Sequence, residues 1–428
     1  MENIQEQKVR ANQLRKDSKY DEALPLYKTL WEESKDSFDG TGYLSCLRKL
    51  HHFDEAIPFA NELIKLFPDF EWCRKEVVWT RIQGQLNNLP EESLLSTVIS
   101  VADSVMELNP DFLAKKLTVF KVLKYAKKHD DWDCIATWID KLDPTSLSDK
   151  PIKIAEGRDG WCDQEIWYNY KINSLLEHND PELALAQCTA LEGKYPKNAK
   201  FFIRLKALSY RYLKKFDESI ELYKKLCTTR RPDWWLLHEY GKVLVDADKK
   251  EDALKIFCQA ALLSSKLQML VKLFQDIGDL CIHFSQKEDA LCHYRLVAFI
   301  RTENGWPISS DLNSKIQIID KECSSLGPPS DISSCLKACK DSWFRHVGTP
   351  DNSSQKRAIK KSIRGKISIA AGRPLCFINT REGLSAICFQ NEISSSIKNG
   401  DIVLFDAEPS FDKKKNCESW RAIQVRKT

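Results

Sequence analysis

Over roughly residues 5–320 the apolar positions recur at helical spacing, in segments separated by short polar turns. From residue 363 the texture changes to short β-like runs: IRGKISIAA, LCFINT, LSAICF, DIVLFDAE and WRAIQVRK. Turn signals at Gly372–Pro374, Glu382–Gly383 and Asn399–Gly400 separate these runs. The pattern predicts a mainly α chain: an α-solenoid followed by a small C-terminal β-barrel.

The helical part repeats itself. KYDEALPLY (19–27), HFDEAIPFA (52–60), KFDESIELY (215–223) and KKEDALKIF (249–257) share a bulky or long residue, an acidic pair, a small residue and an apolar residue four positions on. The small residues are Ala23, Ala56, Ser219 and Ala253, and weaker copies place Ala184 and Ala290. The gaps are 33 residues in the first block and 35, 34 and 37 in the second. Twelve positions before four of these small residues stand Ala11, Ala207, Gly241 and Gly278, which lets the two helices of a unit approach closely. Tyr27, Tyr223, Phe257 and Tyr294 are placed to fill the seam with the next unit, and Pro68 and Pro196 to stop the second helix. LHEYGKVLVDADKKEDALKIFCQAALL (237–263) is the best single copy.

Period and pattern resemble the tetratricopeptide repeat, a helix–turn–helix unit of about 34 residues. A generic α-solenoid shares much of the pattern. The resemblance implies a scaffold whose first helices line a surface for a protein partner. Carried onto the best units, it places Arg204, Arg211, His238, Lys242, Lys272 and Gln275 toward that groove, where the cations could hold an acidic peptide or phosphates or simply form a solvated helix face. Residues 71–160 read as degenerate repeats: MELNPDF (106–112) keeps the terminal proline, 130–144 looks like a second helix ending at Pro144, and GRDGWCDQ (157–164) like an inserted loop.

The order of segments is therefore 1–325, helical repeats; 326–362, a linker with one more helix (335–347) and a basic stretch, KRAIKKSIRGK (356–366), that reads either as a flexible arm or as a solvated lead-in strand; and 363–428, the β module. That module resembles a cold-shock domain, a small OB-fold. Gly365 with Ile367 resembles the opening strand, RPLCFI (373–378) stands where the first aromatic nucleic-acid-binding motif is expected, and SAICF (385–389) where the second is. The family's flanking glycines are replaced by Pro374 and Cys376, its first aromatic by Leu375, and an aromatic of the second motif by Ile387. Ile369 and Ala370 stand where the opening strand usually has aromatics, Phe377 keeps the second aromatic of the first motif, and Phe389 stands at a position that is often histidine. The resemblance implies contact with RNA or single-stranded DNA through Lys366, Arg373, Phe377, Arg381, Phe389, Lys413, Lys414 and Lys415, held more by phosphate contacts than by stacking. A protein-docking barrel is the alternative.

Charge supports this division. Residues 356–428 hold fifteen Lys and Arg against seven Asp and Glu, a surplus of eight, so a chain of net charge +4 leaves −4 for the preceding 355 residues. A composition 43% hydrophobic and 29% charged is that of a soluble globular protein. The polar start, MENIQEQKVRANQLRK, carries no secretory signal, and no run approaches the eighteen or so apolar residues of a membrane span. Fifteen scattered cysteines then point to reduced, buried thiols in a cytoplasmic protein. Cys335 and Cys339, with Cys323 nearby, lack a fourth metal ligand, so no metal and no cofactor are expected. No phosphate loop, dinucleotide fingerprint, nucleophile elbow or zincin motif is present. His51–His52 and His129–Asp130–Asp131 fall in polar connections. The expectation is a non-enzymatic adaptor that grips a protein with its repeats and a nucleic acid with its tail, an architecture suited by resemblance to a stress-response or defence complex. A pure assembly scaffold, or an inhibitor of a partner enzyme, is the competing reading.

Overall fold

The computed structural model describes the chain except residues 1–2, 156–157, 229–231, 324–330, 348–358, 370–374, 382, 395, 413–416 and 428. It divides into two compact units, Met1–Ala253 and Leu254–Thr428, each described by itself.

The first unit is a succession of helical hairpins: α1 (Ile4–Lys16) with α2 (Tyr20–Ser34), α3 (Ser37–Lys49) with α4 (Phe53–Leu66), and α5 (Glu71–Arg81) with α6 (Leu95–Met106). There follow α7 (Phe112–Lys128) with α8 (Trp132–Ile139), α9 (Asp163–Glu177) with α10 (Pro181–Ala190), α11 (Ala199–Tyr212) with α12 (Phe216–Cys227), and α13 (Trp234–Asp246). The next helix, α14 (Lys250–Leu262), crosses the boundary between the units. The two-stranded hairpin β1 (Lys153–Ala155) and β2 (Arg158–Asp159) lies where a plain inserted loop is predicted.

One turn closes most of these hairpins. Ser18, His51, Asp130, Asn179, Lys214 and Asp248, together with Ser285 in the second unit, all have φ between 56° and 60°. After each, the next residue's N–H bonds back to a carbonyl five positions earlier, as in Lys19 to Leu14, Lys215 to Tyr210 and Gln286 to Cys281, at 2.8–2.9 Å. This left-handed cap satisfies carbonyls that the ending helix leaves unpaired and turns the chain back antiparallel. The acidic pair of the repeat motif then begins the second helix, as Asp21 and Glu22 do in α2, where a negative charge complements the helix dipole. The small residues are the contact between partners: Ala11, Ala23, Ala207 and Ser219 are fully buried, and the Ser219 hydroxyl donates to the Ala207 carbonyl at 2.8 Å. Space at the seams is equally tight, since a Cβ on Gly42 would lie 2.2 Å from the Tyr27 ring.

The region predicted as degenerate consists of two further hairpins. α5 continues into a π-helical turn at Ile82–Leu86, and a long connection delays α6, which shifts the spacing away from 34 residues. The Asp130 turn restores it.

In the second unit, α15 (Val271–His283) and α16 (Lys287–Glu303) repeat the hairpin, followed by α17 (Ser310–Glu322) and α18 (Ile332–Val347). α18 covers the predicted extra helix and packs on α16 as part of the fold. Its anchor is Trp343, whose ring stacks on Phe274 at 5.5 Å and whose indole N–H donates to His293 Nε2 at 2.7 Å. His293 is wholly buried, and its Nδ1 bonds the Asp289 carbonyl at 2.7 Å, so the neutral ring with the proton on Nδ1 satisfies both neighbours.

The chain ends in a closed five-stranded barrel: β3 (Lys360–Ile369), β4 (Leu375–Asn379), β5 (Ser385–Phe389), β6 (Ile402–Asp412) and β7 (Cys417–Lys427), in the order β3-β4-β5-β7-β6. All pairs are antiparallel except β5 with β7. The second half of KRAIKKSIRGK is therefore the start of β3, the lead-in strand of the two readings. Ser362 (φ 54°) and Gln424 (φ 53°) sit at register shifts that bend long strands around the barrel. Gly365 is required by the close approach there: a Cβ would meet Ile378 at 2.7 Å and Phe405 at 3.1 Å. Ile367, Cys376, Ile378, Ala386, Cys388, Val403 and Phe405 fill the interior.

Burial holds His293 at a pKa of about 4, against 6.5 for the free side chain, a depression that the Asp289 carbonyl and charge only partly offset. The unfolded chain then binds the extra proton between pH 6.5 and 4, so stability is full above pH 6.5 and falls through that window by about 3 kcal/mol. Thermal unfolding measured across pH 4–7 should show this slope, and His293→Gln should flatten it.

Candidate functional site

The barrel's outer face is assembled by strand register. Ser368 of β3 stands opposite Phe377 of β4, Phe377 opposite Ile387 of β5, and Ile387 beside Arg421 of β7. The flanking rows are Lys366–Asn379–Ser385 and Leu375–Phe389. Because alternate residues point inward, Cys376 and Ile378 fill the core, and Leu375, Phe377 and Phe389 remain 36%, 43% and 40% exposed. Three large apolar side chains thus share one exposed face of a small module.

Register and ring contact bring Lys366 and Arg421 to the patch, and further cations are exposed on the same module. Lys361, Arg364 and Lys366 are exposed along β3, and Arg381 is exposed in the turn after β4. The Arg421 guanidinium lies over the Phe389 ring at 5.7 Å and is tied to Glu392 at 2.6 Å. Lys360 lies 5.2 Å from the Trp420 ring. Of the predicted tail contacts, Lys366, Phe377, Arg381 and Phe389 are thus on the surface, and register joins Lys366, Phe377 and Phe389 on one face. Arg373, Lys413, Lys414 and Lys415 lie outside the described residues. Leu375, Ile387 and Arg421 extend the predicted set. The first two belong to the alternation around Phe377 and Phe389, whereas Arg421 arrives from a distant strand by parallel pairing.

The helical candidates have a different character. Arg204 donates from Nε to Glu239 Oε2 at 2.6 Å and pairs through its second nitrogen with Oε1. The Tyr223 hydroxyl joins the same carboxylate at 3.1 Å, and burial, followed by the nearby Glu239 charge, keeps this phenol protonated well above its usual range. Arg211 pairs with Asp246 at 2.6 Å, and Lys272 with Asp276 at 2.9 Å. His238 is buried, its ring parallel to Trp234. Lys242 is half-buried on α13. Gln275 lines a small polar cavity of about 130 Å³ with Lys272, Asp279, Tyr294 and Lys315. The row of cations exists, but Arg204 and Arg211 are engaged by carboxylates one repeat further on and act as rungs between α11 and α13.

Beside those rungs runs an aromatic row; the residue pattern suggests Trp235, with Trp234, for core and seam rather than a binding platform, and does not single out Trp161 or Phe201. Trp161 contacts Phe201 at 5.0 Å, Phe201 stacks on Trp235 at 6.4 Å, and Arg204 lies 5.6 Å from Trp235. The signal was available in the 34-residue spacing of Phe201 and Trp235, each at the third or second position of a first helix.

The remaining chemistry is structural. Asp131 caps α8, accepting from the Cys134 N–H at 2.8 Å, and His51 is the left-handed turn residue between α3 and α4. Burial pushes the Cys335 thiol up to about 11 and raises Cys339 well above its ordinary range. Among the described residues no group of three or more His, Cys, Asp and Glu is placed to hold a metal ion, and no helix is long and apolar enough to cross a membrane.

Residues 200–318, from α11 into α17, match the family described as a domain of unknown function, DUF7017. No curated protein matches. Among solved structures, a tetratricopeptide repeat protein from Parabacteroides merdae is similar to this chain at 10% identity and a TM-score of 0.33, over 74% of this chain and 98% of its own length.

Replacing Arg204 by alanine leaves Glu239 and Tyr223 without their cation and should destabilise the chain by about 1–3 kcal/mol in denaturant titrations. Arg204→Lys should recover only part of the loss, because the two-pronged contact needs a guanidinium.

Proposed function

We propose that this chain is an adaptor: its helical repeats bind a protein partner, and its C-terminal barrel binds RNA or single-stranded DNA across β3, β4 and β5. The observation that carries the second half is the register that gathers the exposed Leu375, Phe377 and Phe389 around the half-buried Ile387, with Lys366 and Arg421 beside them. Exposed aromatics offer faces on which any base can stack, and flanking cations neutralise phosphates without reading sequence. A closed barrel with this strand order, with its aromatics on the second and third strands, fits the cold-shock-like reading of the sequence. Only two aromatics stand in the patch, so charge carries a larger share of the affinity than in an aromatic-rich surface.

For the helical part, the support is the stacked-hairpin architecture, which buries each hairpin against its neighbours and leaves long helix faces for partners. The partner contact is not a row of free cations, because Arg204 and Arg211 are spent between repeats. The half-buried aromatics Trp161, Phe201 and Trp235 are better candidates for an apolar anchor.

The test uses the full chain and a labelled single strand over a salt series. Affinity should fall linearly in log–log form. Phe377→Ala should cost about 1–3 kcal/mol at fixed salt, and Lys366→Ala should lower the salt slope by about one. Absence of binding at low salt would assign the exposed patch to a protein contact instead.

A further inference from the structure

Beneath the outward patch, the barrel interior holds two thiols in an unusual relation. Cys376 of β4 and Cys388 of β5 are directly opposite one another on the antiparallel ladder. Both point into the core, at 0% and 1% exposure. The Cys388 thiol hydrogen-bonds to the sulfur of Cys376. Directly opposed residues on such a ladder have Cα atoms about 4.5 or 5.5 Å apart, and both spacings lie within the range that a disulfide spans. Cys335 and Cys339 make a useful contrast. One helical turn apart on α18, they keep their Cβ atoms about 5–6 Å apart, beyond the reach of a disulfide without unwinding the helix.

We infer that Cys376 and Cys388 form a reversible oxidation site, a cross-strand dithiol that a hydroperoxide converts to a disulfide joining β4 to β5. In the first step the Cys376 thiol gives up its proton and its sulfur attacks the hydroxyl oxygen of the peroxide; the O–O bond breaks, Cys376 becomes a sulfenic acid, and the departing oxygen takes up that proton and leaves as water or alcohol. In the second step the Cys388 sulfur, giving up its proton, attacks the Cys376 sulfur, and the sulfenic oxygen leaves as water. Two thiols and one hydroperoxide thus give one disulfide, one water and one further water or alcohol, with the two electrons passing to the peroxide. Burial raises both thiols, Cys388 up to about 12, so the reaction is slow and follows local opening of the barrel rather than resembling that of an exposed sensor cysteine. The bond would fix the pairing between the strands that carry Leu375, Phe377, Ile387 and Phe389. The inference does not depend on what that face binds.

Tryptic cleavage separates the pair cleanly, because residues 367–381 and 382–398 form two peptides with one cysteine each. The folded full chain is exposed to hydrogen peroxide, quenched, alkylated with iodoacetamide in denaturant and digested without reductant. The expected product is the linked pair of these two peptides, growing with time, reverting to two alkylated peptides on treatment with dithiothreitol, and accompanied by a rise of several degrees in the thermal midpoint. In the Cys388→Ala chain the linked product should vanish. The inference is overturned if either peptide is recovered only as the alkylated monomer, as the irreversible sulfinic acid, or linked to a different cysteine. Because the wild-type chain gives the decisive readout, poor folding of the variant leaves the result intact.

Discussion

A single left-handed residue between paired helices is the constraint on which the solenoid depends. Ser18, His51, Asp130, Asn179, Lys214, Asp248 and Ser285 adopt the same conformation, and the following residue makes the same backward hydrogen bond. None of these residues is glycine, so each carries a cost of about 1 kcal/mol or more that the surrounding packing offsets. The turn fixes where the second helix starts, which brings small residues such as Ala11 and Ala23, or Ala207 and Ser219, face to face. A hairpin closed in this way cannot bury its outer stripe alone, and stacking on its neighbours follows. Stacking in turn places residues about 35 positions apart within reach of one another, which makes Arg204 meet Glu239 and Arg211 meet Asp246.

The barrel obeys the corresponding rule for strands. Its side-chain period is two, so a slip of one residue between β4 and β5 would send Phe377 and Ile387 inward and expose Cys376 and Cys388. Closure removes both sheet edges, Gly365 gives Ile378 and Phe405 room to pack, and Ser362 and Gln424 bend the long strands. The outward face is thus determined by the same pairing that fills the interior.

Much of this was legible in the residues. The repeat spacing located the hairpins around Ala23, Ala56, Ser219, Ala253 and Ala290, because small residues at helix crossings are a steric requirement. Alternation located Phe377 and Phe389 on strands. Between 71 and 160 the spacing failed because a π-helical turn and a long connection intervene between α5 and α6. The cations of α11 are visible in the sequence, but their partners on α13 stand out only at the 35-residue spacing that stacking imposes. Arg421 and the His293–Trp343 contact could not be read locally, since each joins residues brought together only by the closed fold.

The division of labour between repeats and barrel is tested most directly by photo-crosslinking a single strand that carries photoreactive bases to the full chain, then mapping the attached peptides. Attachment within Leu375–Phe389, competed by unlabelled strand and lost at high salt, is the expected result. Attachment confined to the helical repeats, with the barrel unmarked, would contradict it.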